Sequence, residues 1–118
     1  MNRILFTLTL ILTSILHTDT PVHAYPKTQG TCSNDLFDAA AAYAGWPVDE
    51  IPKVGRIAYR ESRCQPGARN SCCHGLMQVH RAWLRRFGLT QAEARDGFTN
   101  LWLAHEVWLV SGWTAWSR

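Results

Sequence analysis

Four cysteines in a chain of 118 residues, three of them crowded between positions 64 and 73, constrain this sequence more than any other feature. They are Cys32, Cys64, Cys72 and Cys73, and all follow an N-terminal stretch that reads as an export signal. Arg3 gives that stretch a basic start. The apolar run Ile4 to Leu12 follows, and Val22-His23-Ala24 supplies small residues at signal-peptidase spacing. The run is too short and too rich in Thr and Ser to span a bilayer comfortably. Residues 1–24 are therefore expected to be a signal peptide, and removing them from 118 leaves a single domain of 94 residues, 25–118. A core of that size is modest and benefits from covalent support. An even number of cysteines in an exported chain predicts two disulfides. A bridge between the neighbours Cys72 and Cys73 requires a small strained ring. The expected pairing is thus Cys64 with Cys72 or Cys73, and Cys32 with the other. Zinc held by Cys64, Cys72, Cys73 and His74 is the rival reading. Adjacent ligands crowd a tetrahedral site and an oxidising compartment favours disulfides, so no metal and no cofactor is expected.

The formal charge is +3. That suits an anionic polymer without selecting one. The arginines are scattered and make no long basic run, so nucleic acid is not indicated.

The pattern is helical throughout. Asn34 or Asp35 can cap a first helix through Leu36, Phe37, Ala39 to Ala42 and Tyr43, which Gly45 stops. Pro47 to Pro52 opens a second helix, ended by Pro66 and Gly67. Trp83, Leu84 and Phe87 mark a third, closed by Gly88. Thr90 and Glu93 read as the capping box of a short fourth. Leu101, Ala104, His105 and Trp108 form the stripe of a last helix, ending at Gly112. No segment alternates with period two for long, so any hairpin is small and falls near Ala68–His74.

One residue breaks this pattern. Glu61 shares its helical face with the apolar Val54, Ile57 and Ala58, and it lies in the last turn, where the helix dipole is negative. Burial and dipole both favour the protonated carboxyl, the form a general acid needs. The competing reading is an ion pair with Arg60, Arg63 or Arg69, which favours the charged form.

The residues around Glu61 carry a resemblance. Ile57-Ala58-Tyr59-Arg60-Glu61-Ser62, then Pro66 and Ala68, then Gly75-Leu76-Met77-Gln78-Val79, resembles the soluble lytic transglycosylase family, whose domain looks like goose-type lysozyme. Asn100-Leu101, Ala104, and Gly112-Trp113 with Trp116 look like the end of short phage and actinobacterial lysozyme-like domains. The match spans roughly Ile51 to Trp116. It implies a mainly α fold of lysozyme-like α+β type, and a monomeric enzyme that cuts peptidoglycan glycan strands.

Carried to this chain, the resemblance makes Glu61 the single acid and base. It protonates the oxygen of the β-1,4 bond between N-acetylmuramic acid and N-acetylglucosamine. It then takes the proton of the muramic 6-hydroxyl, which attacks C1 and leaves a 1,6-anhydro sugar. The acetamido group steadies the cation, so the second carboxylate of ordinary glycosidases is not required. Ser62 positions the glutamate or caps its helix. Gly75 lets the backbone approach the cleft, and Gln78 hydrogen-bonds sugar or acid. Met77 lines the groove or fills the core, and Trp102 lines the cleft or lies on the surface. Trp83 and Trp108 sit at core spacing, while Trp113 and Trp116 brace the cleft floor or pack inside. A bridge from Cys64 to Cys72 or Cys73 would fix the distance between acid and Gln78.

The Ala-Tyr-Asn segment of many family members has no counterpart here. Two other functions therefore stand beside the transglycosylase. One is a hydrolytic muramidase that uses Glu61 and holds a water with Asp96 or Glu106. The other is a secreted glycan-binding module without catalysis.

Overall fold

The computed structural model describes residues 30–117, so the expected signal segment lies outside the described residues. The chain is mostly helical with one two-stranded sheet, as its pattern predicts. Its elements are α1 (Asp35–Tyr43), a 3₁₀ turn (Val48–Glu50), α2 (Ile51–Ser62), β1 (Cys73–His74), β2 (Val79–His80), α3 (Arg81–Phe87), α4 (Gln91–Ala94), α5 (Gly97–Ser111) and a closing 3₁₀ turn (Gly112–Trp116). No helix among the described residues is long and apolar enough to cross a membrane.

Each helix start has a local cause. The Asn34 side chain accepts the Phe37 N–H, and Asp35 and Asp38 place negative charge on the first turn of α1. Pro52 sits in the first turn of α2, where its missing N–H costs nothing. Thr90 and Glu93 form the expected capping box on α4, and the Thr90 backbone N–H holds the Glu93 carboxyl below its usual range. Asp96 caps α5 through Thr99.

α5 organises the domain. It packs against α1, α3, α4, β2 and the closing turn. Leu101, Leu103, Ala104 and Val107 are fully buried on it, with Asn100 among them. The inward face is therefore turned from the predicted stripe, because His105 and Trp108 are only half-buried and join an aromatic cluster instead. At the centre of that cluster is Trp46, 2% exposed, with its Nε1 donating to the Leu101 carbonyl at 2.9 Å. Its ring lies 5.2 Å from Trp108, 5.5 Å from Trp113 and 5.4 Å from His105.

The disulfides overturn the expected pairing. Cys32 bonds to Cys64 across a Cα–Cα distance of 5.6 Å, and Cys72 bonds to Cys73. The cause lies at the end of α2. The helix stops at Ser62, before Pro66 and Gly67, because Arg63 and Cys64 both take left-handed backbone with φ of 53° and 64°. That double reversal turns Cys64 into the core, where it is fully buried, and away from the hairpin. The segment before α1 crosses α2 closely enough to meet it. The Cys32 N–H donates to the Gly55 carbonyl at 3.0 Å, and a Cβ at Gly55 would meet Thr31 Oγ1 at 2.7 Å. With Cys32 and Cys64 joined, Cys72 and Cys73 have only each other. No bridge spans from Cys64 to the hairpin, and the predicted clamp between acid and Gln78 does not exist.

The hairpin also sits later than expected. Cys73 pairs with His80 and His74 with Val79, while Arg69 bridges to His74. The four residues Gly75 to Gln78 are thus its turn. Gly75 has φ of 84° and Gln78 of 47°, and the Gln78 N–H closes back on the Gly75 carbonyl. Leu76 and Met77, at the tip, are fully buried and plug the turn into the core.

Candidate active site

Glu61 lies where its helical spacing places it. It occupies the last turn of α2, and its side chain is 4% exposed. Val54 and Ala58 on the same helix are fully buried, and Ile57 is 7% exposed. The carboxylate is also paired. Arg60 donates to its Oε2 from Nε at 3.0 Å, and Nη2 stands 2.9 Å from the same oxygen. The ion-pair alternative is therefore present, with Arg60 and not Arg63 or Arg69. Arg63 lies over the Tyr59 ring, 4.5 Å from its centroid. The pair is lopsided, since the Arg60 side chain is 44% exposed while the acid is nearly covered.

Arg60 extends the site. Its Nη2 donates to the Trp116 carbonyl at 2.7 Å, and Trp116 Nε1 donates to the Met77 carbonyl at 2.7 Å. A line of polar contacts thus runs from Glu61 through Arg60 and the tail to the hairpin turn, one residue from Gln78. Trp116, 4% exposed, is the joint between the two halves. It is core-packed and also lines a groove of about 330 Å³ with Cys73, Gln78, Val79, His80, Trp83, Val107 and Ala115. Glu61 does not line this groove, and neither does Trp102. The ring of Trp102 meets Phe87 edge-on at 6.3 Å.

The remaining predicted residues have definite local roles. Ser62 is buried and its hydroxyl donates to the Ala58 carbonyl, so it bonds back within its own helix and does not hold Glu61, while Arg63 is the C-cap. Met77 is fully buried, so its side chain is core and does not line the groove. Gly75 makes a close approach, but to the core and not to the cleft. A Cβ there would run into the Asn100 amide and reach the Ala94 carbonyl at 2.5 Å. Gln78 commits both amide hydrogens to backbone, donating to the Ala68 and Gly75 carbonyls at 2.9 Å each. Its Oε1 makes no hydrogen bond among the described residues and remains the acceptor it can offer a ligand. Trp83 lines the groove and is stacked on Phe87, and the Arg86 guanidinium lies over its ring, 5.2 Å from the centroid.

Asn100 is the structural residue that sequence reasoning passed over as a mere element of the C-terminal resemblance. Fully buried, it donates to the His74 carbonyl at 2.9 Å and the Ala94 carbonyl at 2.8 Å, and accepts the Met77 N–H at 2.8 Å. One amide therefore satisfies three backbone groups of the hairpin and the α4 terminus. Its signal was an asparagine inside an otherwise apolar helix. Trp46 carried no periodic signal, because it follows Gly45 outside any helix.

Of the two carboxylates that a water-activating reading invokes, Asp96 is engaged as a helix cap and Glu106 makes no hydrogen bond among the described residues. Asp96 holds the Thr99 N–H and hydroxyl at 3.0 and 2.7 Å. Glu106 stands 3.8 Å from His105 Nδ1. Among the described residues no group of three or more His, Cys, Asp or Glu side chains could hold a metal ion. The chain matches no family model, no curated protein and no solved structure.

Proposed function

We propose that this protein is an exported peptidoglycan lytic transglycosylase with Glu61 as its single acid and base. The observation that carries the reading is the burial of that carboxyl on the apolar face of α2, with its side chain 4% exposed. Stability does not ask for an acid there, since covering a charge is costly even when it is paired. The position is tied through Arg60 and Trp116 to a groove wall that holds Gln78, Trp83 and Trp116. Indole faces suit sugar rings, and the free Gln78 Oε1 suits a sugar hydroxyl or N–H.

In this mechanism the glycosidic C1–O4 bond breaks as O4 takes the Glu61 proton. The muramic 6-oxygen then bonds to C1 and returns its proton to Glu61. The first step needs a protonated carboxyl, so the incoming strand must displace the Arg60 guanidinium. Arg60 can swing toward solvent, since its side chain is 44% exposed, and the strand that takes its place must compensate the covered carboxyl and the Trp116 carbonyl that it leaves. The disulfides and the absence of a membrane-crossing helix among the described residues are compatible with export.

Incubation of the purified protein with isolated cell-wall sacculi, followed by mass spectrometry of the soluble products, tests the reading. The expected products are muropeptides ending in 1,6-anhydro-N-acetylmuramic acid. Reducing ends would make the enzyme a hydrolytic muramidase, and no release at all would leave a glycan-binding module.

A further inference from the structure

Two polar nitrogens of the hairpin region are buried and unpaired. His74 is 5% exposed and its Nδ1 has no hydrogen-bond partner. Nη1 of Arg95 is likewise buried without a partner. Three constraints bring these residues into one neighbourhood. Asn100 Nδ2 donates to the carbonyls of both His74 and Ala94, which holds the residue before Arg95 against β1. The antiparallel bridge between Arg69 and His74 puts Arg69 beside the histidine. Val79, the partner of His74 in the sheet, lies two residues before Arg81, whose N–H is fixed on the Cys72 carbonyl.

The neighbourhood is strongly positive. None of Arg69, Arg81 and Arg95 forms an ion pair among the described residues. The acidic side chains nearest in sequence are used elsewhere, Glu93 in the Thr90 capping box and Asp96 on Thr99. A buried donor left unpaired costs roughly 1–3 kcal/mol, and more when it is charged. A water molecule could serve one neutral group, but three guanidinium groups without a counter-charge favour an anion.

We infer that His74 and Arg95, flanked by Arg69 and Arg81, form a binding site for a small oxyanion, a carboxylate or phosphate group. Arg95 Nη1 and a protonated His74 Nδ1 supply the two buried donors, and the exposed Arg69 and Arg81 draw the ligand in. Without an anion the imidazole is held below its ordinary pKa, first by burial and then by Arg95, Arg69 and Arg81. A bound anion opposes that field, so binding draws a proton onto His74. The site includes neither Glu61 nor a residue of the groove, and it stands independently of the glycan-cleaving reading.

The test is titration of inorganic phosphate, and separately of acetate, into the purified disulfide-intact protein in chloride at constant ionic strength. Heteronuclear NMR follows the His74 ring across pH. The expected result is a saturable shift with a raised His74 pKa in the bound state. Arg95→Gln, and the solvent-exposed pair Arg69→Gln with Arg81→Gln, should each weaken binding at least tenfold while circular dichroism is unchanged. Preference for phosphate or for acetate assigns the ligand class. An identical His74 titration with and without either anion would overturn the proposal. So would undiminished binding in all these variants, which would reveal general surface attraction.

Discussion

Cys32 and Cys64 are fully buried and close a span of 32 residues, whereas Cys72 and Cys73 are half-buried neighbours that close no span. The first bridge straps the segment before α1 to the end of α2, directly beside Glu61. The second leaves the hairpin with no covalent tie to anything else. That end of the molecule is held by side-chain amides and an indole. Asn100 fixes the turn from below, Gln78 closes it from within, Trp116 ties it to the tail, and Asn70 Oδ1 accepts the N–H groups of Cys72 and Cys73. The acid is thus placed by a covalent strap and helix packing, and the groove by polar contacts that can be removed one at a time.

The contrast breaks most sharply at the cysteines. Replacing Cys32 and Cys64 by Ser should cost about 4 kcal/mol by the chain-entropy argument for a loop of this length. For a domain of this size that lowers Tm by roughly 15 °C or more. The same exchange at Cys72 and Cys73 should cost less than about 1 kcal/mol, because a ring between neighbours removes almost no chain entropy. Calorimetry of the two double variants checks both, and equal losses would refute the distinction.

Asn100→Leu comes next. It keeps much of the volume but strands the His74 and Ala94 carbonyls and the Met77 N–H, at a cost of about 3 kcal/mol. Hydrogen exchange at Met77 should rise well before exchange at Val54 on α2. A uniform rise would mean the hairpin is not a separate unit of stability. Trp116→Phe strands the Met77 carbonyl and leaves part of the indole volume empty, and should cost about 2 kcal/mol, measured by denaturant unfolding.

The smallest effect is one of pH. Burial and the nearby arginines hold the folded-state pKa of His74 below the ordinary 6.5, so the unfolded chain takes up this proton first as pH falls. The contribution of His74 is therefore complete above about pH 6.5 and declines as pH drops toward the folded value. His74→Gln should flatten that part of the stability profile, measured by thermal unfolding across the same pH range.

What could be read in the sequence divides along the same line. The helix starts at Asn34 and Thr90, the stops at Gly88 and Gly112 and the inward placement of Glu61 all follow from local rules of capping and periodicity. The disulfide pairing did not follow, because it hangs on two successive left-handed residues, Arg63 and Cys64, that no propensity marks. Ring strain argues against a bridge between Cys72 and Cys73, yet the reversal at Cys64 leaves them no other partner. The motif points Gly75 toward a cleft and leaves Met77 open between groove and core. Their actual neighbours, Asn100 and Ala94, lie far along the chain and become visible only when α5 folds over the turn. Arg60 is one of several possible partners of Glu61 by sequence, but its second contact, with the Trp116 carbonyl, is a tertiary fact.

The central claim is that one buried carboxyl at the end of α2 does the acid–base chemistry. The most direct measurement compares soluble muropeptide release from sacculi by the wild type and by Glu61→Gln, with Tm recorded for both. The account predicts a loss of roughly a hundredfold or more in release with the fold retained, as expected when a general acid is removed. Release at the wild-type rate by a folded Glu61→Gln variant would contradict it.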